Sequence, residues 1–92
     1  MTTSPYTKRY FDEVIKVVDG IDQSQVDTMV ELLAALRAAG GRLFFIGVGG
    51  GAGNATHAVN DFRKICGIES YAPTDNVSEL TARVNDEGWE MV

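Results

Sequence analysis

Cysteine is nearly absent from this 92-residue chain. Cys66 stands alone, which excludes a disulfide framework and a cysteine-built zinc centre and leaves the expectation of a buried, reduced thiol. Histidine is equally scarce, His57 being the single copy. Basic residues number 8 against 13 acidic ones, for a net charge of −5, and they are scattered rather than clustered. That balance argues against nucleic acid and against an anionic membrane surface as partners. No apolar run approaches membrane-spanning length, and the N-terminus lacks the basic-then-apolar pattern of a signal peptide. The expectation is a cytoplasmic protein that contacts neither membrane nor nucleic acid. Hydrophobic residues at 45% and charged residues at 23% fit a soluble globular domain, one at most at this length.

Glycine is what the chain has in excess, and it is concentrated. Seven of the ten glycines fall between Gly40 and Gly53, directly around the short apolar run Leu43-Phe44-Phe45-Ile46. A continuous apolar run bounded by glycine reads as a parallel strand buried on both faces, here residues 43–46. A helical pattern over residues 54–66 follows, closed by Gly67. A glycine loop between strand and helix presents backbone N–H groups and a positive dipole end to an anion. This is the layout of a phosphate-binding loop.

The rest of the chain supplies a frame for that loop. Tyr10, Phe11, Val14, Ile15, Val17 and Val18 recur at helical spacing between Pro5 and Gly20, and their face packs on its own domain or, alternatively, on a second subunit. Asp22, with Gln25 three residues on, has the pattern of a capping box for a second helix that Gly40-Gly41 stops. Residues 68–72 read as a second strand ended by Pro73, and residues 77–84 as a short helix capped by Thr74 or Asp75. The expected architecture is α/β, one domain over 1–92: a helical pair over 1–40, then strand, glycine loop, helix, strand and helix over 41–92, as part of a doubly wound, flavodoxin-like parallel sheet. Two strands leave unpaired edges. The expectation is therefore an N-terminal portion of a larger domain, or a homo-oligomer that completes its sheet on another chain.

Three readings of the loop compete. A Walker loop requires a lysine after the glycines, and none is present. The dinucleotide pattern Gly47-x-Gly49-x-x-Ala52 is matched, and Glu69 is either the ribose-binding carboxylate or a solvated strand-end residue. His57 and Asp61 are one helical turn apart on one face, so they form a surface ion pair, two ligands of a divalent metal, or an acid–base pair beside a bound substrate.

Gly47-Val48-Gly49-Gly50-Gly51 followed by Ala55-x-His57-x-x-x-Asp61 resembles the first phosphosugar motif of the sugar isomerase (SIS) domain, in the phosphoheptose (sedoheptulose 7-phosphate) isomerase branch. Asp75-Asn76-Val77-Ser78 and Asn85-Asp86-x-Gly88-Trp89 are similar to later segments of that branch at similar spacing. The resemblance covers essentially the whole chain and matches the N-terminal half of the family domain. It implies an aldose–ketose isomerase acting on a sugar phosphate, with zinc as cofactor and the site at a subunit interface of a homo-oligomer. By position, it implies substrate contacts at Val48, Gly49, Gly50, Asp61, Asn85 and Asp86. His57 and Asp61 fall on zinc ligands, and Asp61 falls also on the catalytic base. Trp89 is read as core packing. The chain departs from the family pattern at Val48 (asparagine there), Gly51 (serine) and Asp61 (glutamate), which keeps a non-catalytic phosphosugar-binding module as the alternative.

Overall fold

The computed structural model describes residues 5–92. Four α-helices and two short strands appear in the order α1 (Pro5–Asp19), α2 (Gln23–Ala38), β1 (Arg42–Phe44), α3 (Gly50–Lys64), β2 (Glu69–Tyr71) and α4 (Val77–Glu87). Single 3-10 turns occupy Pro73–Asp75 and Trp89–Met91. The strands pair in parallel, as the α/β expectation requires. The chain divides into two compact units, Met1–Leu32 and Leu33–Val92, with the boundary inside α2.

In the first unit, α1 starts at Pro5, where the missing N–H of proline costs nothing. Asp22 performs the expected capping: its Oδ1 accepts from the Ser24 N–H at 3.0 Å, the Gln25 N–H at 3.4 Å and the Ser24 hydroxyl at 2.6 Å. Those bonds favour the charged carboxylate, and its pKa lies below the ordinary 3.8, with the Ser24 hydroxyl as the leading cause. Tyr10 and Phe11 meet edge to face at 5.7 Å, and the apolar residues of α1 are exposed.

The second unit carries the βαβ core. Register pairs Arg42 with Glu69, Leu43 with Ser70 and Phe44 with Tyr71. Alternation then sends Leu43, Phe45, Ile68, Ser70 and Ala72 to one face and Phe44, Ile46 and Tyr71 to the other. The first face packs under α3: Ala55, Val59 and Ala72 are buried together with Phe45 against them, and the Phe45 and Phe62 rings lie 5.2 Å apart. Burying a side chain such as Val59 contributes about 1.5–3 kcal/mol. Ser70, fully buried, satisfies its hydroxyl by donating to the Ile68 carbonyl at 2.9 Å.

Several expectations are corrected. The strand runs 42–44 rather than 43–46 and is covered on one face only, because two strands and one helix supply a single layer of cover; Ile46 is 80% exposed. The third helix begins at Gly50, four residues before the expected 54, so three glycines lie within its first turns. The cap of α4 is Asn76, whose Oδ1 accepts from the Glu79 N–H at 3.2 Å, because the 3-10 turn consumes Thr74 and Asp75. Trp89 is exposed rather than in the core, and Cys66 is half-buried rather than buried.

Candidate functional site

The loop between β1 and α3 is built by two glycines with separate jobs. Gly47 lies against the backbone of α3's first turn, where an added Cβ would collide with the Gly51 carbonyl. Gly49 holds φ 59°, ψ −123°, a conformation open in practice to glycine alone. Together they turn the chain from the end of β1 straight into the helix. The turn is closed by Gly51 N–H donating to the Val48 carbonyl at 2.9 Å and Ala52 N–H to the Gly49 carbonyl at 3.0 Å. The N–H groups of Val48, Gly49 and Gly50 make no hydrogen bond among the described residues. Unbonded N–H groups thus lie at the start of a 15-residue helix, where the positive end of the helix dipole favours an anion.

His57 and Asp61 follow on the outward side of α3. Their Nε2 and Oδ2 atoms lie 3.2 Å apart, with the imidazole 78% exposed and the carboxylate 43%. The structure thus brings the pair together as the spacing demands. Two nitrogen and oxygen donors on one helix face suit zinc in kind, but zinc takes four ligands. Among the described residues no three His, Cys, Asp or Glu side chains converge into a group that could hold a metal ion.

Asn85 and Asp86 occupy the last turn of α4, where the Asn85 amide donates to the Asp86 carboxylate at 3.0 Å. No hydrogen bond joins either side chain to the loop or to α3 among the described residues. Glu69 takes the second of its two readings, the solvated strand-end carboxylate. It opens β2 opposite Arg42, the first residue of β1, and pairs with that guanidinium at 3.9 Å. In a parallel pair both residues mark the N-terminal end of the sheet, whereas the glycine loop leaves from the C-terminal end. A ribose-binding carboxylate belongs beside the loop, so Glu69 is a surface partner of Arg42 and the dinucleotide reading loses its second residue.

One arrangement escaped the sequence. The Thr56 hydroxyl donates to Asp75 Oδ1 at 2.5 Å, joining α3 to the turn after β2 across 19 positions. Beside this bond lies an open depression of about 500 Å³ lined by Thr56, Val59, Asn60, Arg63, Lys64 and Asp75. A second concavity, about 380 Å³, is lined by Pro73, Asn76, Glu79, Leu80, Arg83, Met91 and Val92 and includes none of the expected site residues. No helix among the described residues is long and apolar enough to cross a membrane.

Comparison with known proteins gives an independent bearing. The chain is 33% identical over 100 residues to a phosphoheptose isomerase of Syntrophotalea carbinolica, an alignment covering 98% of this chain and 50% of that protein. It is 29% identical over 99 residues to a phosphoheptose isomerase of a Roseiflexus species, covering 95% of this chain and 50% of that one. The resemblance read from the motifs is thus found again along nearly the whole chain, which spans about half the length of the curated relatives it matches. No family model matches the chain, and no solved structure matches it significantly.

Proposed function

We propose that this stretch, similar to phosphoheptose isomerase over nearly all its length, is the phosphosugar-binding N-terminal part of a SIS-type aldose–ketose isomerase, with sedoheptulose 7-phosphate as the model substrate. The observation that carries the reading is the run of unbonded Val48, Gly49 and Gly50 N–H groups placed about two and three helical turns before His57 and Asp61. The anionic end of a sugar phosphate suits these donors, and its carbon chain then extends along α3 toward the carboxylate.

Asp61 is the base of the proposed reaction. Its carboxylate takes a proton from C1 of the ketose as the C2 carbonyl oxygen picks up a proton to give the enediol. Return of the carbon proton to C2, with loss of the C1 hydroxyl proton to solvent, leaves the C1 aldehyde of the aldose. The oxygen proton thus passes in net from O1 to O2 by way of water. Half-burial suits that role, since the carboxylate is reachable by substrate yet less hydrated than His57. Zinc is proposed as the cofactor with His57 and Asp61 as two of its ligands; when bound it would polarise the substrate oxygens. Asn85 and Asp86 are proposed as further substrate contacts, reached once substrate spans the distance from α3 to the end of α4. A homo-oligomer in the cytoplasm remains the proposed setting.

The second reading, a phosphosugar-binding module without catalysis, is favoured by Asp61 being one methylene shorter than glutamate, where about 1 Å of misplacement costs roughly a hundredfold. Two measurements decide. Titrating sedoheptulose 7-phosphate into the protein should shift the amide signals of Gly49 to Asn54; shifts with NAD and none with sugar phosphates would sink the SIS reading. In the protein completed to the length of its relatives, Asp61→Asn should abolish isomerisation and Asp61→Glu should retain or raise it. An inactive parent that Asp61→Glu fails to revive establishes the binding module.

A further inference from the structure

We infer that Thr56 and Asp75 are positioning residues, a side-chain tether that holds the first turns of α3, and with them the unbonded loop N–H groups, in place. This deepens the phosphate-loop reading above and rests on it. The need for a tether is written into α3 itself. Gly50, Gly51 and Gly53 are poor helix formers, no side chain caps the helix start, and an added Cβ at any of the three would meet nothing within 4 Å. Left alone, such a start frays, and fraying scatters the Val48, Gly49 and Gly50 N–H groups on which anion binding depends.

Thr56 is the first residue after these glycines whose side chain bonds outside the helix; its hydroxyl also lies 3.1 Å from the Ala52 carbonyl within α3, and its single proton goes to the nearer, charged Asp75 oxygen. Its partner is well anchored. The Asp75 N–H donates to the carbonyl of buried Ala72 at 2.9 Å, Pro73 sets the start of the turn, and Asn76 directly after it caps α4. The carboxylate therefore stands on a frame fixed at the end of β2 and at the start of α4. The O–H···O⁻ bond is of the short, charge-assisted class. Along α3 the division of labour is clean: Ala55 and Val59 face the sheet, Thr56 faces Asp75, and His57 and Asp61 face outward.

The test uses Thr56→Val, which keeps shape and branching but removes the hydroxyl, with Thr56→Ser as the conservative rescue. Inorganic phosphate is titrated while the Gly49 to Gly51 amides are followed by NMR, and amide hydrogen exchange is read at Asn54 and Ala55 and across β1 and β2. Thr56→Val should weaken phosphate binding about fivefold, the size of one net hydrogen bond. It should also speed exchange in early α3 and leave the sheet amides unchanged, and Thr56→Ser should restore both. Wild-type phosphate binding with an unchanged Thr56→Val titration overturns the tether while the loop reading survives. If phosphate binds neither protein, the loop reading fails and exchange decides: early-α3 protection that is absent in the wild type, or equal in the two proteins, overturns the tether. Uniform loss of protection, sheet included, also overturns it, by showing a general packing role.

Discussion

Glycines that look alike in a repetitive loop carry different loads residue by residue. Gly49 lies at φ 59°, ψ −123°, where a Cβ strains the backbone by about 1–3 kcal/mol, so Gly49→Ala should lower the midpoint of chemical denaturation. Gly53 is an ordinary helical position with nothing within 4 Å of an added Cβ. Gly53→Ala should raise the midpoint, by up to about 1 kcal/mol of stability. Opposite signs from the two alanines check the loop geometry directly; equal effects would mean that Gly49 does not hold its turn. The same scale explains which site residues the sequence disclosed. His57 and Asp61 were legible because helical spacing alone fixes their contact. Thr56 and Asp75 were not, since nothing local links residues 19 positions apart; only the parallel pairing of β1 with β2 brings the turn after β2 beside α3. Glu69 stayed open between two readings for a similar reason: its role depends on which end of the sheet it occupies, and register decides that.

Elements were legible where their stop signals are chemical and ambiguous where two signals compete. The bounds of α1 and α2 follow from Pro5, Gly20, Asp22 and Gly40-Gly41, each acting through its own backbone or cap. The start of α3 was placed four residues late because glycine is read as loop. Here the helical dipole and the Gly51 and Ala52 turn bonds carry the helix back through the glycines to Gly50. The Asp22 cap has a pH signature of definite sign. Its carboxylate pKa is depressed in the folded state by bonds from Ser24 and Gln25, so the cap stabilises α2 above the ordinary value of 3.8. That contribution is lost as pH falls through the depressed value. Helicity followed by circular dichroism from pH 7 down should lose an acid-dependent component below 3.8, and Asp22→Ala should abolish that component while lowering helicity at neutral pH. An Asp22→Ala titration superimposable on the wild type would remove the cap from the account.

At the scale of the whole molecule, the question is what covers the apolar surface that the second unit leaves open. Its buried hydrophobic core is Ala55, Val59, Ile68 and Ala72, small for a sheet with an aromatic outer face. On that outer face Phe44 and Tyr71 stack at 5.7 Å, with the Arg42 guanidinium 5.5 Å from the Phe44 ring, and Ile46 continues the row. Arg42 screens one end only. A two-stranded sheet also has two free edges, and strand edges bearing apolar side chains seek further strands. Residues of this kind are core in a doubly wound sheet, where helices lie on both faces. Within the second unit α3 covers one face only, and association through the other is the expected outcome. Sedimentation velocity across a concentration series should show species larger than the 10.0 kDa chain, growing with concentration. Phe44→Lys combined with Ile46→Lys should shift the distribution toward monomer, because two like charges resist burial against a second apolar face. Amide exchange at residues 43–46 gives the complementary reading, with protection rising as association proceeds. A monodisperse monomer whose β1 amides are already protected at low concentration would show that one layer of helix suffices, and the outer face would then be surface and nothing more.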